Sequence, residues 1–313
     1  MSERNLTDPS SDNQGLVYFP AIHTHLIQSK YVQQTFQINV MQPPQKAGEG
    51  GFPVVYITDG NIMFDMCKSI SWLMQASQHD VPRYILVSIG YPGDSPFAGN
   101  LLRGRDLTFP GCPDFTVGSD YLRKWDGVLS PGPSSITYCG AVEFQRFIGE
   151  ELVPFIDANY ATRAEDRTYF GHSAGGGFGL FTLFTRGELF RNYVVSSPTL
   201  SYTNREGDGV SNRNCDFMAQ RVLAFAASGQ ALPGIQLYMS VGTEEELDPL
   251  NASWRLTSSF HQIRALIRNC RIPGLNMMAE SFPGETHSTA IPIAFMHGLQ
   301  AVFGVRRPSH HVY

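Results

Sequence analysis

Two hydrophobic rhythms alternate along the chain. Thr35–Met41 (TFQINVM) sets Phe36, Ile38 and Val40 on one side and polar residues on the other, the two-residue period of a strand with one buried face. Lys46–Gly51 is a polar, glycine-rich turn, and the strand-like runs that follow it are denser. Pro53–Thr58 (PVVYIT) and Tyr84–Gly90 (YILVSIG) are almost unbroken apolar stretches, as strands covered on both faces of a parallel sheet require. Between them, Asn61–Ser77 carries its apolar residues at helical spacing. Further strands are predicted at TYFGHS (168–173), Asn192–Pro198, Ile235–Gly242 and Met277–Pro283. Helices are predicted at Gly175–Arg186, Ser211–Ala227, Pro249–Cys270 and from about His287 to Phe303. This alternation predicts an α/β fold with a mostly parallel central sheet and helices on both faces.

Tyr91–Cys139 breaks the rhythm. It is rich in Gly, Pro, Asp and Ser, shows no sustained periodicity, and leaves a central strand. A long irregular insert at that place is expected to cap a site. Residues 17–306 otherwise read as one domain, with a leader at 1–16, a tail at 307–313 and the cap insert at about 91–139.

Composition narrows the classes. A net charge of −5 and no run of Lys or Arg argue against a nucleic-acid partner. No stretch reaches the roughly 18 apolar residues of a membrane span, and MSERNLTDPSSDNQG has no apolar core of an export signal. The five cysteines are odd in number and widely spaced, which suits reduced thiols and a cytoplasmic location. No metal-ligand spacing occurs, so no metal is expected. The oligomeric state is not legible.

Candidate chemistry centres on Thr168–Phe184 (TYFGHSAGGGFGLFTLF). Gly171-His172-Ser173-Ala174-Gly175 fits a strand that turns sharply into a helix and leaves one hydroxyl at the apex. A Cβ at either outer glycine is expected to strike the neighbouring strand or the helix start. With 30 glycines in the chain, the pattern alone is equally a glycine-rich turn with a solvated serine. Its context separates the two readings. Nucleophile, acid and base follow in the order Ser, Asp or Glu, His in α/β-hydrolases. After Ile235–Gly242 comes a carboxylate cluster of Glu244, Glu245, Glu246 and Asp248; after the last strand comes His287, at the expected start of the final helix. A hydroxyl is a weak nucleophile until an imidazole takes its proton, and a carboxylate fixes the imidazole's tautomer. His172 is a poor base, because adjacent residues at a tight elbow point apart. The Ala174 amide at the helix N-terminus is one expected oxyanion donor. The other is the Asn61 amide, in the loop where Gly60 lets the chain turn.

VVYITDGN, VSIGYP, RDLTFP, GAVEFQRFIGEELVPFIDANY, YFGHSAGGGFGLFTLF, LFRNYVVSSPTLSY, VGTEEE and GETHSTAIP together resemble the esterase D-like esterases. Within them the chain is similar to the branch of ferric-siderophore (enterobactin-type trilactone) esterases. The resemblance runs from about Val17 to Val305. It implies an α/β-hydrolase fold, no cofactor, a small-molecule ester as substrate, Ser173 as nucleophile and His287 as base. Through a Gly-x-x-acid motif after the seventh strand it points to Glu245, with Glu246 and Asp248 in reserve. Some esterases of this type manage with a Ser–His pair. The Arg-Asp-x-Thr motif, here Arg105, Asp106 and Thr108, lies near the active-site mouth of such relatives. S-formylglutathione hydrolases share the elbow but not the surrounding motifs, and a catalytically silent scaffold used for binding is the alternative from another class. Arg105, Trp125 and Gly60 are the expected substrate contacts; the competing reading pairs Arg105 with a carboxylate and packs Trp125 as a plug.

Overall fold

A computed structural model describes residues 20–44, 47–48, 50–76, 80–93, 96–110, 136–200, 213–252 and 254–304. Eight strands form one sheet: β1 (Ile22–Gln28), β2 (Thr35–Met41), β3 (Phe52–Ile57), β4 (Ile85–Gly90), β5 (Thr162–His172), β6 (Asn192–Ser196), β7 (Gln236–Gly242) and β8 (Asn276–Phe282). Their order is β1-β2-β4-β3-β5-β6-β7-β8. β1 pairs antiparallel with β2, and β2 with β4; every other pair is parallel. The helices are α1 (Gly60–Ala76), α2 (Pro96–Leu107), α3 (Ala141–Phe147), α4 (Val153–Asn159), α5 (Ala174–Leu183), α6 (Arg213–Ala227), α7 (Pro249–Ala252), α8 (Leu256–Cys270) and α9 (Ala290–Val302). The mostly parallel sheet and its helices are those of an α/β-hydrolase fold.

The two-residue period sorts the core into two layers. On one face Phe36, Ile38, Val40, Val54, Tyr56, Ile85 and Val87 meet Phe144, Phe147, Phe178, Val222 and Phe260 from α3, α5, α6 and α8. On the other, Val55, Ile57, Leu86 and Phe170 meet Phe64 and Cys67 of α1 and Phe295 and Leu299 of α9. Both faces of the central strands are therefore dry, which is why β3 and β4 read as continuous apolar runs.

Three expectations need correction, and two elements were not read in the sequence. β1 has no alternating pattern because it lies at the sheet edge, with most of its side chains exposed. Tyr91–Cys139 is not irregular throughout, since residues 96–107 form α2. Gly99, Gly104 and two arginines obscure its period, although Leu101, Leu102 and Leu107 are buried. The helix expected over Pro249–Cys270 breaks into α7 and α8 around Arg255, whose φ of 47° is left-handed. The last helix starts at Ala290, so His287 lies in the turn before it and not at its first residue. The segment 141–159, for which the periodicity gave no helix, is α3 and α4 joined through one π-helical turn at Ile148–Leu152. Among the described residues, no helix is long and apolar enough to cross a membrane.

Candidate active site

The parallel strands deliver their C-terminal ends to one edge of the sheet, where open α/β sheets place their sites. There β5 ends and Ser173 takes φ 59° and ψ −122°, a left-handed φ at the bend into α5. The elbow is crowded on both sides. A Cβ on Gly171 would meet the Gly175 carbonyl oxygen at 2.3 Å, and one on Gly175 would meet Thr58 Oγ1, at the end of β3, at 2.5 Å. The expected collisions with the helix start and the neighbouring strand are both there. The Ser173 amide donates to the Ser196 carbonyl (3.0 Å), its carbonyl accepts from Thr199 and Gly177, and its hydroxyl lies 3.3 Å from Thr199 Oγ1.

Glu245 opens a short 3-10 turn after β7 and is fully buried. Its Oε1 accepts from the Ser197 hydroxyl (2.5 Å) and the Gly242 amide (2.7 Å), while Oε2 faces His287 Nδ1 at 2.8 Å. Of the clustered acids, this is the one the fold turns inward to His287. Glu246 instead takes the Ser258 amide and hydroxyl at the start of α8, and Asp248 accepts from Asn251. The loop carrying His287 lies tight on β7: a Cβ on Gly242 would be 2.3 Å from the Glu285 carbonyl oxygen. Backbone cannot yield as a side chain can. Gly242→Ala is therefore expected to lower stability by about 1–3 kcal/mol, the usual range for overpacking, and to part His287 from Glu245. A melting curve and an ester-hydrolysis assay on one preparation check both effects.

His172 is buried, its ring 4.4 Å from that of His287, and its Nδ1 pairs with Ser196 Oγ at 2.9 Å. Burial first, then the nearby His287 and Arg103 charges, hold its pKa well below 6.5, with a weaker opposing pull from the His287 main chain. It is therefore neutral in the folded protein, while the unfolded chain protonates it below about pH 6.5. Stability is fully present above that pH and falls as pH drops toward the lowered folded value, with a slope of at most about 1.4 kcal/mol per unit. Urea denaturation between pH 7 and pH 5.5 is expected to show this slope reduced in His172→Gln.

The second loop follows β3. Asp59 has φ 59°, and its carbonyl accepts from Ile62 and Met63 at the head of α1. Gly60 starts α1 against the end of β4, where a Cβ would lie 3.0 Å from the Ile89 carbonyl. The Asn61 side chain holds both the amide and the carbonyl of Tyr91, each at 2.7 Å. Ala174, the other residue expected to donate an amide, is the first residue of α5. Two further groups there have roles that were not read in the sequence, where Arg103 counted only among the cationic side chains of the insert that could receive an anionic acyl group. Ser197, at φ 43°, supports Glu245, and Arg103 of α2 forms a two-pronged ion pair with Asp59.

Arg105 clasps the neighbouring Asp106 through Nε (2.6 Å) and a terminal nitrogen (2.8 Å). Tyr91 donates to the same carboxylate at 2.9 Å, and burial pushes Asp106 up against the downward pull of Arg105. This cluster sits at a neck. The Gly140 amide donates to the Arg105 carbonyl, Ala141 to the Thr108 carbonyl, and Cys139 to the Thr108 hydroxyl. Trp125, with the rest of residues 111–135, lies outside the described residues.

The family model described as "Putative esterase" matches residues 131–300, more than half of the chain. The chain is 28% identical over 303 residues to the ferri-bacillibactin esterase BesA of Bacillus subtilis, covering 96% of each. Over 154 residues it is 34% identical to a siderophore enterobactin esterase of Emericella nidulans, covering 48% of this chain and 47% of that one. The BES protein of Bacillus cereus shares its fold with a TM-score of 0.72 at 23% identity, covering 96% of this chain and 98% of that one. Elbow, sheet order and relatives converge: the chain belongs to the "Putative esterase" family and is a carboxylic ester hydrolase of α/β-hydrolase fold.

Proposed function

We propose that the ester is cleaved through an acyl-enzyme on Ser173, with His287 as base and Glu245 as its orienting carboxylate. The observation that carries this is the 2.8 Å approach of Glu245 Oε2 to His287 Nδ1. A buried carboxylate held by Ser197 and Gly242 keeps the Nδ1–H tautomer and leaves Nε2 to take the Ser173 proton. Ser173 Oγ attacks the ester carbonyl, and the Ala174 and Asn61 amides receive the oxyanion. His287 then protonates the leaving alcohol and activates the water that frees the acid. Relatives named for siderophore esters support bulky esters of that kind as substrates. The Arg105–Asp106 clasp favours a neck-holding role for Arg105, and Trp125 and Gly60 remain the proposed contacts for the acyl group. Among the described residues, free thiols at Cys67 and Cys270 support a cytoplasmic place of action.

A fluorophosphonate probe with a panel of p-nitrophenyl esters and trilactone siderophores tests the reading. Labelling that Ser173→Ala abolishes, with turnover of at least one ester class, is expected. No labelling and no turnover leave a binding scaffold, and turnover of thioesters alone moves the activity to the S-formylglutathione hydrolase type.

A further inference from the structure

The loop that would supply the Asn61 amide to an oxyanion carries a carboxylate two residues earlier. Asp59 is 8% exposed, and its Oδ2 would lie 3.2 Å from a Cβ on Gly175, in the first turn of α5 beside Ala174. A negative charge in that position opposes the charge that develops on a tetrahedral intermediate. The geometry nevertheless needs the side chain. Asp is one of the few residues that tolerates a left-handed φ, and its carboxylate is the tie between the oxyanion loop and α2. Arg103 binds it through Nε to Oδ1 and through a terminal nitrogen to Oδ2, the latter at 3.0 Å. The guanidinium also stands close enough to act on His172 and Tyr169, beneath the elbow.

We propose that Arg103 is a positioning residue that keeps the oxyanion loop usable by cancelling the charge of Asp59. The proposal rests on the oxyanion roles assigned above to Ala174 and Asn61. Fixed in the resting protein, the ion pair presents the incoming carbonyl with a nearly neutral wall. Without Arg103, the bare, buried carboxylate stands against the first turn of α5, beside the Ala174 amide that receives the oxyanion. The effect of one uncompensated charge at such range is on the order of 100-fold in rate.

The proposal predicts an asymmetry that neither a mechanical clamp nor a direct substrate contact produces. With p-nitrophenyl acetate, which carries no anion for Arg103 to bind, Arg103→Met is expected to lower kcat about 100-fold and change KM less than about threefold. Asp59→Asn removes the offending charge along with the pair and is expected to lose less than tenfold. The double variant Arg103→Met/Asp59→Asn is expected to regain at least tenfold over Arg103→Met. Arg103→Lys, which keeps the charge without the fork, is expected to stay within tenfold of the parent. Melting temperatures accompany each variant, and if Arg103→Met does not fold, Arg103→Gln, which removes the charge but keeps a hydrogen-bond donor to Asp59, takes its place in the same comparisons. A double variant as slow as Arg103→Met, or Asp59→Asn as damaging as Arg103→Met, overturns the proposal. Turnover that survives Ser173→Ala would instead sink the functional reading, whereas Ser173-dependent turnover without the asymmetry sinks only the role given to Arg103.

Discussion

Ser173→Ala leaves a folded protein whose ester hydrolysis falls by on the order of 10⁴-fold or more. A nucleophile works as a unit with its base, so its loss removes the covalent route entirely and leaves only what the oxyanion donors and substrate binding supply. The substitution does little else. Ser173 is nearly enclosed, its hydroxyl meets Thr199 Oγ1 at 3.3 Å, and the backbone bonds that fix the elbow belong to its amide and carbonyl. Those bonds survive in alanine. The left-handed φ of 59° costs alanine about 1 kcal/mol, as it does serine. Melting temperature is therefore expected to stay within a few degrees of the parent while turnover vanishes. A Ser173→Ala protein that still hydrolyses p-nitrophenyl acetate at the parental rate would rule out the covalent mechanism.

Glu245→Gln carries the second largest effect, and its direction follows from the bonds around the carboxylate. Oε1 accepts two hydrogen bonds, from Ser197 and Gly242, so the amide oxygen of a glutamine must take that side. Its NH2 then points at His287 Nδ1, which Oε2 occupies at 2.8 Å in the parent. An NH2 cannot accept a proton from Nδ1. The imidazole turns to the other tautomer, with hydrogen on Nε2, and can no longer take the proton of Ser173. A loss of about 10³–10⁴-fold in kcat is expected, with small change in KM and in melting temperature because shape and burial are preserved. Glu245→Ala is expected to cost more stability, since it strands two buried donors. If Glu245→Gln retains kcat within tenfold, the carboxylate is dispensable and the catalytic unit is Ser173 with His287 alone.

The strands that build the sheet centre were legible because burial on both faces forces unbroken apolar runs, as at β3 and β4. β1 was not, because an exposed edge strand has no buried face to write a pattern. The elbow was legible for a steric reason: Gly171 and Gly175 stand where a Cβ meets atoms at 2.3 and 2.5 Å. The choice among Glu244, Glu245, Glu246 and Asp248 could not be read from spacing alone, since all four follow one strand. It depends on which of them the 3-10 turn points inward and on hydroxyls forty-eight residues away in sequence, such as Ser197. The pairing of Arg103 was hidden for a similar reason. Its partner Asp59 lies forty-four residues earlier, and the pair exists only once β3 and α2 share one end of the sheet.

Three glycines in succession, Gly175–Gly177, follow Ala174 in the first turn of the helix that carries the elbow, and each disfavours a helix by about 1 kcal/mol relative to alanine. Where a Cβ would sit, Gly176 meets the Ser196 carbonyl at 2.7 Å and Gly177 the Thr199 carbonyl at 2.6 Å. This first turn therefore has no tendency to form by itself and becomes helical only against a loop already in place. In time this means order. β6 and the Ser196–Thr199 segment must dock before the helix start closes, so the hydroxyl reaches its apex late in folding. A refolding chain is expected to recover its far-ultraviolet signal before its esterase activity, and in mild denaturant the activity is expected to fade first.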